Sequence, residues 1–302
     1  MKNIITLLLS LTATSLFAQT EANTPTNIAF GDDAISSMKW SVEQDIVIDG
    51  SLAFKEKIDQ YAIVIKNGKS FTVSGTGVVD LKSTSASDYI TGNHFNLGGF
   101  SDTPTSLIIE DGGKLRTAKI SLTSEGSQIT LGATDALKTS NGGNTTIFFY
   151  KNATLNLCAA GAFSFNFQTQ VGSIATLSFN EDARLNVMGN ANENNYTMNL
   201  ADFTETNSIF FSSKIDSSVG GIECILKLED LGSDYAVSFY NGDTVKKKIT
   251  LTGADLSGFS LSKATVGGVD GYLLSAAIPE PAEWAMIFGA IALGLAVYRR
   301  RK

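Results

Sequence analysis

The feature that most restricts the fold of this chain is a repeated spacing of apolar residues between positions 46 and 185. Each repeat has two apolar residues two positions apart, a segment of small and polar residues, and a third apolar residue about eight positions after the first. The members are Ile46, Ile48 and Phe54; Phe71, Val73 and Val79; Leu107, Ile109 and Leu115; Ile129, Leu131 and Leu137; Leu155, Leu157 and Phe163; and Leu177, Phe179 and Leu185. Period-two alternation predicts a short strand with one buried face, and the polar segment predicts a turn.

The intervals between repeats favour a parallel β-helix, or β-solenoid. Their first residues lie 25, 36, 22, 26 and 22 positions apart, and the longest interval contains an insertion at about residues 83–100. These intervals match one coil of a solenoid, in which each coil buries its apolar face against its neighbours. An antiparallel β-sandwich is the alternative, because it also strings short alternating strands between turns. Both alternatives are all-β, and the repeats assign residues 46–195 to this unit.

Residues 196–275 are predicted to form a β-rich cap with antiparallel pairing. Strands are predicted at 208–211, 222–228 and 235–240. Asn241 and Gly242 are typical of a two-residue hairpin turn, and a second hairpin is predicted around Val266–Tyr272. We expect this cap to cover the last open edge of the solenoid.

The N-terminal residues 1–18 have the features of a secretory signal peptide. Lys2 precedes an apolar core from Ile4 to Leu11, and Ala18 stands before the expected cleavage point. The sequence therefore predicts export through the Sec machinery. Residues 19–45 follow as an N-terminal segment that begins with polar residues and is predicted to be partly disordered.

The C-terminal residues 278–302 combine three parts in a fixed order. They are the tripeptide Pro279, Glu280 and Pro281, an apolar run from Trp284 to Tyr298, and the cations Arg299, Arg300, Arg301 and Lys302. The two prolines keep the tripeptide extended and outside any following helix. The apolar run is predicted to be a transmembrane helix of about 22 Å, short of the ~30 Å hydrocarbon core, so it would be a marginal anchor. The cations would stay on the cytoplasmic side as an orientation signal.

This tail resembles the PEP-CTERM sorting signal of bacterial exported proteins. The resemblance rests on Pro279–Pro281, on Trp284, on the Gly/Ala/Leu-rich run and on the terminal arginines. It implies that a membrane transpeptidase, an exosortase, recognises and cuts near the tripeptide. It also implies that the remainder of the chain moves from the inner membrane to the cell surface or the extracellular matrix. An ordinary tail anchor with a coincidental tripeptide is the alternative.

Charge and cysteine content limit the partners and the redox chemistry. Without the two terminal segments the chain keeps 18 basic and 28 acidic residues, a net charge of about −10. Such an acidic surface argues against nucleic acid and anionic lipid as partners. Cys158 and Cys224 could form one disulfide in an oxidising compartment, or could be buried and inert. Their spacing predicts no metal site.

Candidate catalytic residues are few. The only histidine, His94, lies in the insertion and is predicted to be a surface-loop residue. The adjacent acids Asp32–Asp33, Glu110–Asp111 and Glu181–Asp182 are the carboxylate pairs that a β-helix polysaccharide lyase or glycosidase would need. Because adjacent strand residues point to opposite faces, turn formation explains these pairs better than catalysis does.

These observations predict a bacterial cell-surface or extracellular-matrix protein with a structural or adhesive β-rich passenger. We expect no enzymatic activity and no cofactor, and extracellular polysaccharide is a candidate partner. The alternative function is that of a polysaccharide-degrading β-helix enzyme.

Overall fold

The computed structural model describes residues 40–53, 61–81, 94–190, 195–215 and 221–277. Four three-stranded coils come first: β1 (Trp40–Val42), β2 (Ile46–Ile48) and β3 (Ser51–Ala53); β4 (Tyr61–Ile65), β5 (Ser70–Val73) and β6 (Val78–Asp80); β7 (His94–Leu97), β8 (Ser106–Ile109) and β9 (Lys114–Arg116); β10 (Lys119–Leu122), β11 (Ser127–Leu131) and β12 (Leu137–Lys138). Two-stranded coils follow: β13 (Thr146–Phe149) and β14 (Ala153–Leu157); β15 (Gly161–Thr169) and β16 (Ile174–Phe179); β17 (Ala183–Asn190) and β18 (Tyr196–Ala201).

Parallel pairing stacks these coils into three sheets. Sheet A runs β1-β4-β7-β10-β13-β15-β17 and continues to β19 (Ser208–Ser212), sheet B runs β2-β5-β8-β11-β14-β16-β18, and sheet C runs β3-β6-β9-β12. Neighbouring strands in these stacks are parallel, which confirms the solenoid and rules out the β-sandwich alternative. All the described regular structure is strand, so the all-β class is confirmed for these residues.

The predicted repeat sets the register of sheet B. Ile46 pairs with Phe71, Phe71 with Leu107, and the same row continues without a shift through Ile129, Leu155 and Leu177. The second apolar residues form an adjacent row in the same pairs of strands. In the first coil Leu52 pairs with Val79 and takes the place predicted for Phe54, which lies outside the described residues.

The core is one continuous apolar stack between the sheets. Many of its members are fully buried phenylalanines, among which Phe71 contacts Trp40 and Phe95 edge-on with ring centres 5.7 and 5.2 Å apart. Burial of each such side chain contributes roughly 1.5–3 kcal/mol. The stack is therefore stabilised by contacts between coils, since a single coil has too little apolar surface to fold alone.

The stack extends beyond the predicted repeats, because Leu200 of β18 pairs with Leu177 and Ile209 of β19 pairs with Leu185. Parallel stacking therefore continues past residue 195, where the sequence pattern weakens. The third predicted apolar position changes sheet along the chain: Leu137 lies in sheet C, whereas Phe163 and Leu185 lie at the start of strands β15 and β17 of sheet A.

Antiparallel strands close the C-terminal end. They are β20 (Lys214–Ile215), β21 (Ile222–Glu223), β22 (Ile225–Asp230), β23 (Tyr235–Asn241), β24 (Thr244–Thr252), β25 (Phe259–Val266) and β26 (Val269–Ala276). β24 joins β18 in parallel and carries β23 and β22, while β26 joins β19 antiparallel and carries β25. This arrangement confirms a cap with antiparallel pairing.

Both predicted hairpins form, with one difference in the first. Asn241 pairs with Thr244, so the two turn residues are Gly242 and Asp243 rather than Asn241 and Gly242. A bulge at Phe239–Tyr240 shifts the register by one residue, which sequence alternation alone does not reveal. The second hairpin turns at Gly267 and Gly268, as Val266 pairs with Val269.

Candidate binding face

Sheet B presents an outward surface made mainly of small polar side chains. Within each strand the apolar repeat residues point into the core, so the residues between and beside them point outward. One outward row contains Ser70, Ser106, Gln128, Thr154, Thr176, Asn199 and Thr252. The adjacent row contains Val47, Thr72, Ile108, Thr130, Asn156, Ser178 and Ala201, of which Val47, Ile108 and Ala201 are apolar. We call these two rows the polar face.

The register gives the polar face a regular geometry. Neighbouring strands lie about 4.8 Å apart, and outward residues two positions apart on one strand are separated by about 6.6 Å. Apart from the exposed Val47 and Gln128, its members are half-buried, so the side chains stand closely packed. The Asn156 amide donates to Thr130 Oγ1 at 3.1 Å across neighbouring strands. Thr154, Thr176 and Thr252 have hydroxyls that no other described residue engages.

No member of the polar face carries a charge, but charged groups border it. Asp202 accepts a hydrogen bond from Ser178 Oγ at 3.2 Å, and further charged groups lie at the two ends of the face. At the first end Asp45 accepts hydrogen bonds from Ser70 N at 2.8 Å and Ser70 Oγ at 2.9 Å, and these bonds lower the pKa of Asp45. At the cap end Glu229 accepts a hydrogen bond from Tyr240 at 2.6 Å and lies 3.2 Å from Lys248. The Tyr240 bond is the main reason that the pKa of Glu229 is lowered.

Such a surface can bind a ligand through many weak hydrogen bonds. Hydroxyl and amide groups donate and accept, whereas their lack of charge gives no preference for anions or cations. A long polymer with repeated hydroxyl groups would meet equivalent partners on successive strands. The face holds no acid, base or nucleophile of the kind that hydrolysis or elimination requires.

The carboxylate pairs considered for catalysis lie in turns. Glu110 and Asp111 occupy the turn after β8, and Glu181 and Asp182 occupy the turn after β16, where all four are exposed. Asp182 has a positive φ of 61°, a conformation common for Asp in turns. Asp32 and Asp33 lie outside the described residues. The described part of the chain contains no group of three His, Cys, Asp or Glu side chains that could hold a metal.

His94 is not a surface-loop residue, so that prediction is wrong. It begins β7 and is 5% exposed, paired in register with Tyr61 of β4. The longest interval between repeats therefore contains a regular strand of sheet A, although the strand's short sequence gives little alternation.

The cysteines do not form a disulfide. Both lie within the described residues: Cys158 is exposed after β14, and Cys224 is buried between β21 and β22. Burial around Cys158 raises the pKa of its thiol, so it is a weak nucleophile at neutral pH.

A cleft of about 570 Å³ lies in the cap between β21–β22 and β25–β26. Its acids are engaged in the fold: Glu223 accepts a hydrogen bond from Ser213, and Asp270 accepts one from Thr265 at 2.7 Å. These contacts tie the cap strands together and leave no paired carboxylates facing each other for hydrolysis.

The sorting residues predicted at the C-terminus, including Pro279–Pro281, Trp284–Tyr298 and the four terminal cations, lie outside the described residues, as does the signal peptide. No helix able to cross a membrane is found in the described ranges. Comparison with protein-family models, with curated proteins and with solved structures finds no match.

Sequence analysis missed the polar face, although the chain contains a pattern for it. A Thr, Ser, Asn or Gln stands next to an apolar repeat residue in strand after strand, as in Thr154-Leu155-Asn156 and Thr176-Leu177-Ser178. The strand register is what turns these separate residues into one surface.

Proposed function

We propose that this chain is an extracellular structural or adhesive protein whose polar face binds polysaccharide. The observation that carries the proposal is the uncharged lattice of hydroxyl and amide side chains on sheet B. A rigid solenoid holds these groups at fixed spacings, so a polymer binding along the stack loses little extra protein entropy. The passenger acts by binding rather than by catalysis.

Delivery to the outside is the second part of the proposal. The signal peptide of residues 1–18 directs export through Sec, and the tail of residues 278–302 holds the passenger at the inner membrane until an exosortase cuts it. Glu280→Ala should then leave the uncut form in the membrane, whereas Glu283→Ala, which lies outside the tripeptide, should be processed normally. Unchanged processing of Glu280→Ala on an immunoblot would show that the tripeptide is not a sorting element.

Binding can be tested by co-sedimentation of the purified secreted protein with insoluble cellulose and chitin, and by affinity electrophoresis in gels containing alginate or dextran. The informative variant is Thr154→Val with Thr176→Val, because valine keeps the shape and strand propensity of threonine while removing its hydroxyl. We expect this double variant to bind several-fold more weakly than the wild type.

The matched control is Thr244→Val, an exposed strand threonine in the cap away from the polar face. It should bind as the wild type does. Equal binding by the double variant would rule out the polar face as the binding surface. Release of reducing or unsaturated sugars by the wild type would overturn the non-enzymatic proposal.

A further inference from the structure

An exposed aromatic residue lies in strained backbone at the edge of the polar face. Phe100 follows β7, is 64% exposed and has a φ of 64°. A bulky residue in this region costs of order 1–3 kcal/mol and is uncommon outside functional sites. The exposed part of the ring gains nothing from burial. The fold therefore keeps Phe100 in a position that its own stability does not favour.

Neighbouring residues fix this conformation. Phe100 N donates to Thr123 Oγ1 at 3.1 Å, and Thr123 Oγ1 in turn donates to Asn96 Oδ1 at 2.8 Å. Asn96 Oδ1 also accepts from Gly99 N at 2.9 Å, and Ser101 N closes the turn on Gly98 O at 2.9 Å. Since Asn96 and Thr123 are buried, the ring of Phe100 is presented by a rigid support.

A second aromatic residue lies beside Phe100. The ring of Tyr150, which follows β13, packs edge-on against Phe100 with centres 6.0 Å apart and planes at 72°. Tyr150 stacks on Phe148 at 3.7 Å, and Lys119 Nζ lies 4.5 Å from the centre of the Phe148 ring. Phe148 thus supports one side of the Tyr150 ring, while Tyr150 itself is half-exposed. Phe100 and Tyr150 form an angled pair, which we call the aromatic corner.

The aromatic corner adjoins the polar face. Gly98 N bonds to Ile65 O, Thr123 N to Leu97 O and Tyr150 N to Leu122 O, so all three residues occupy the same corner of successive coils. That corner connects sheet A to sheet B, and β8, which begins at Ser106, follows Phe100 by a few residues. The corner therefore lies at the turn that leads from β7 into the strand that carries Ser106 of the polar face.

We infer that the aromatic corner is a subsite for one pyranose ring of a polysaccharide chain, with the C–H face of the sugar stacked on Phe100. The inference rests on the proposed function, because the sugar ring at this subsite belongs to the polysaccharide that is proposed to bind the polar face. A pyranose suits the pair: its apolar face covers the exposed ring, and its hydroxyls remain available to the polar side chains of sheet B. An aromatic side chain loses little conformational entropy on binding, so one such subsite can supply much of the binding affinity.

The test compares the full-length secreted protein with Phe100→Gly. Glycine adopts positive φ without strain, so this variant should fold and be at least as stable as the wild type, while it loses the ring. Using cellohexaose, chitohexaose and a hexauronate from alginate as probes in calorimetry, we expect at least a fivefold loss of affinity for the probe that binds the wild type. Phe100→Trp should restore binding.

Val171→Ala is the matched control, since Val171 is 70% exposed in the same corner after β15 but has no ring. It should bind like the wild type. If the wild type binds a probe and Phe100→Gly binds it equally well, the subsite is wrong while the polar face stands. If the wild type binds none of the probes or polymers, both the subsite and the proposed function are overturned.

Discussion

Lys247 Nζ lies 4.8 Å from the centre of the Tyr196 ring, within the core at the junction of β24 and β18. Lys247 is 1% exposed and shares the inward-facing side of β24 with Ile249 and Leu251. Burial lowers its pKa to about 7, and burial also raises the pKa of Tyr196. The ring faces the ammonium with its negative π surface, which offsets part of the cost of removing the charge from water.

This pair predicts that stability increases between pH 7 and about pH 10. The folded chain releases the Lys247 proton near pH 7, whereas the unfolded chain keeps it until about 10.5. Because the unfolded state binds more protons in this window, the free energy of unfolding rises with pH, by at most about 1.4 kcal/mol per unit. Urea unfolding at several pH values measures the slope.

Lys247→Met should reduce that increase, because methionine is of similar length and does not titrate. A smaller increase should remain, since burial also lowers the pKa of Lys119, to about 8. Lys246→Met, at the adjacent half-exposed position, should keep the wild-type pH dependence. An unchanged pH dependence in Lys247→Met would show that Lys247 is not the group that titrates.

The continuous core predicts a large cost for removing one member of the central row. Leu155 is fully buried and pairs with Ile129 and Leu177 in the coils on either side. Leu155→Ala should lower the free energy of unfolding by about 2–5 kcal/mol, since the rigid coils cannot collapse into the space. Thr154→Ala, on the outward side of the same strand, should cost less than about 1 kcal/mol. Circular dichroism during urea unfolding provides both values.

Because the turns of successive coils pack closely, we expect any side chain at Gly112 to destabilise the protein. This residue has a φ of 89°, and a Cβ there would overlap the carbonyl oxygen of Gly75 in the preceding coil. Gly112→Ala should destabilise the protein by about 1–3 kcal/mol. Gly258→Ala is the control, because a Cβ at Gly258 meets no atom within 4 Å and its φ is not positive. Comparable melting temperatures for the two variants would contradict the stacked-turn geometry.

The two cysteines should differ in their reactivity. Native protein should take up one equivalent of iodoacetamide, slowly at pH 7 because the pKa of Cys158 is raised, and faster at alkaline pH. A second equivalent should react only in denaturant, when Cys224 becomes accessible. Cys158→Ser should abolish native labelling. Mass spectrometry of the alkylated chain measures the labelling. A species two hydrogen atoms lighter that resists labelling in denaturant would reveal a disulfide instead.

Prediction from sequence succeeded where a single strand carries the information. The first and second apolar residues of all six repeats were assigned to the correct inward positions, and they stack without a shift from Ile46 to Leu177. Prediction failed where a residue's position depends on how neighbouring strands pair. The bulge at Phe239–Tyr240 displaced the predicted hairpin turn, and the burial of His94 depends on neighbouring strands that its local sequence does not specify.

The candidate site was the least predictable part. A threonine such as Thr154 or Thr176 is ordinary for the solvent side of any strand, and Phe100 reads as one aromatic residue in a glycine-rich turn. Only the register aligns the threonines into a surface, and only the corner brings Phe100 within reach of Tyr150, 50 positions along the chain.

The sequence itself determined the coil length and which side chains face inward. Turn residues and the alternation of apolar residues act over only a few positions, so they decide locally which side chains are removed from water. The tertiary structure decided which coils share a sheet, where the third sheet ends, and which polar and aromatic groups become neighbours. Those outcomes depend on how each coil packs against the next, and that packing energy exists only once the coils have stacked.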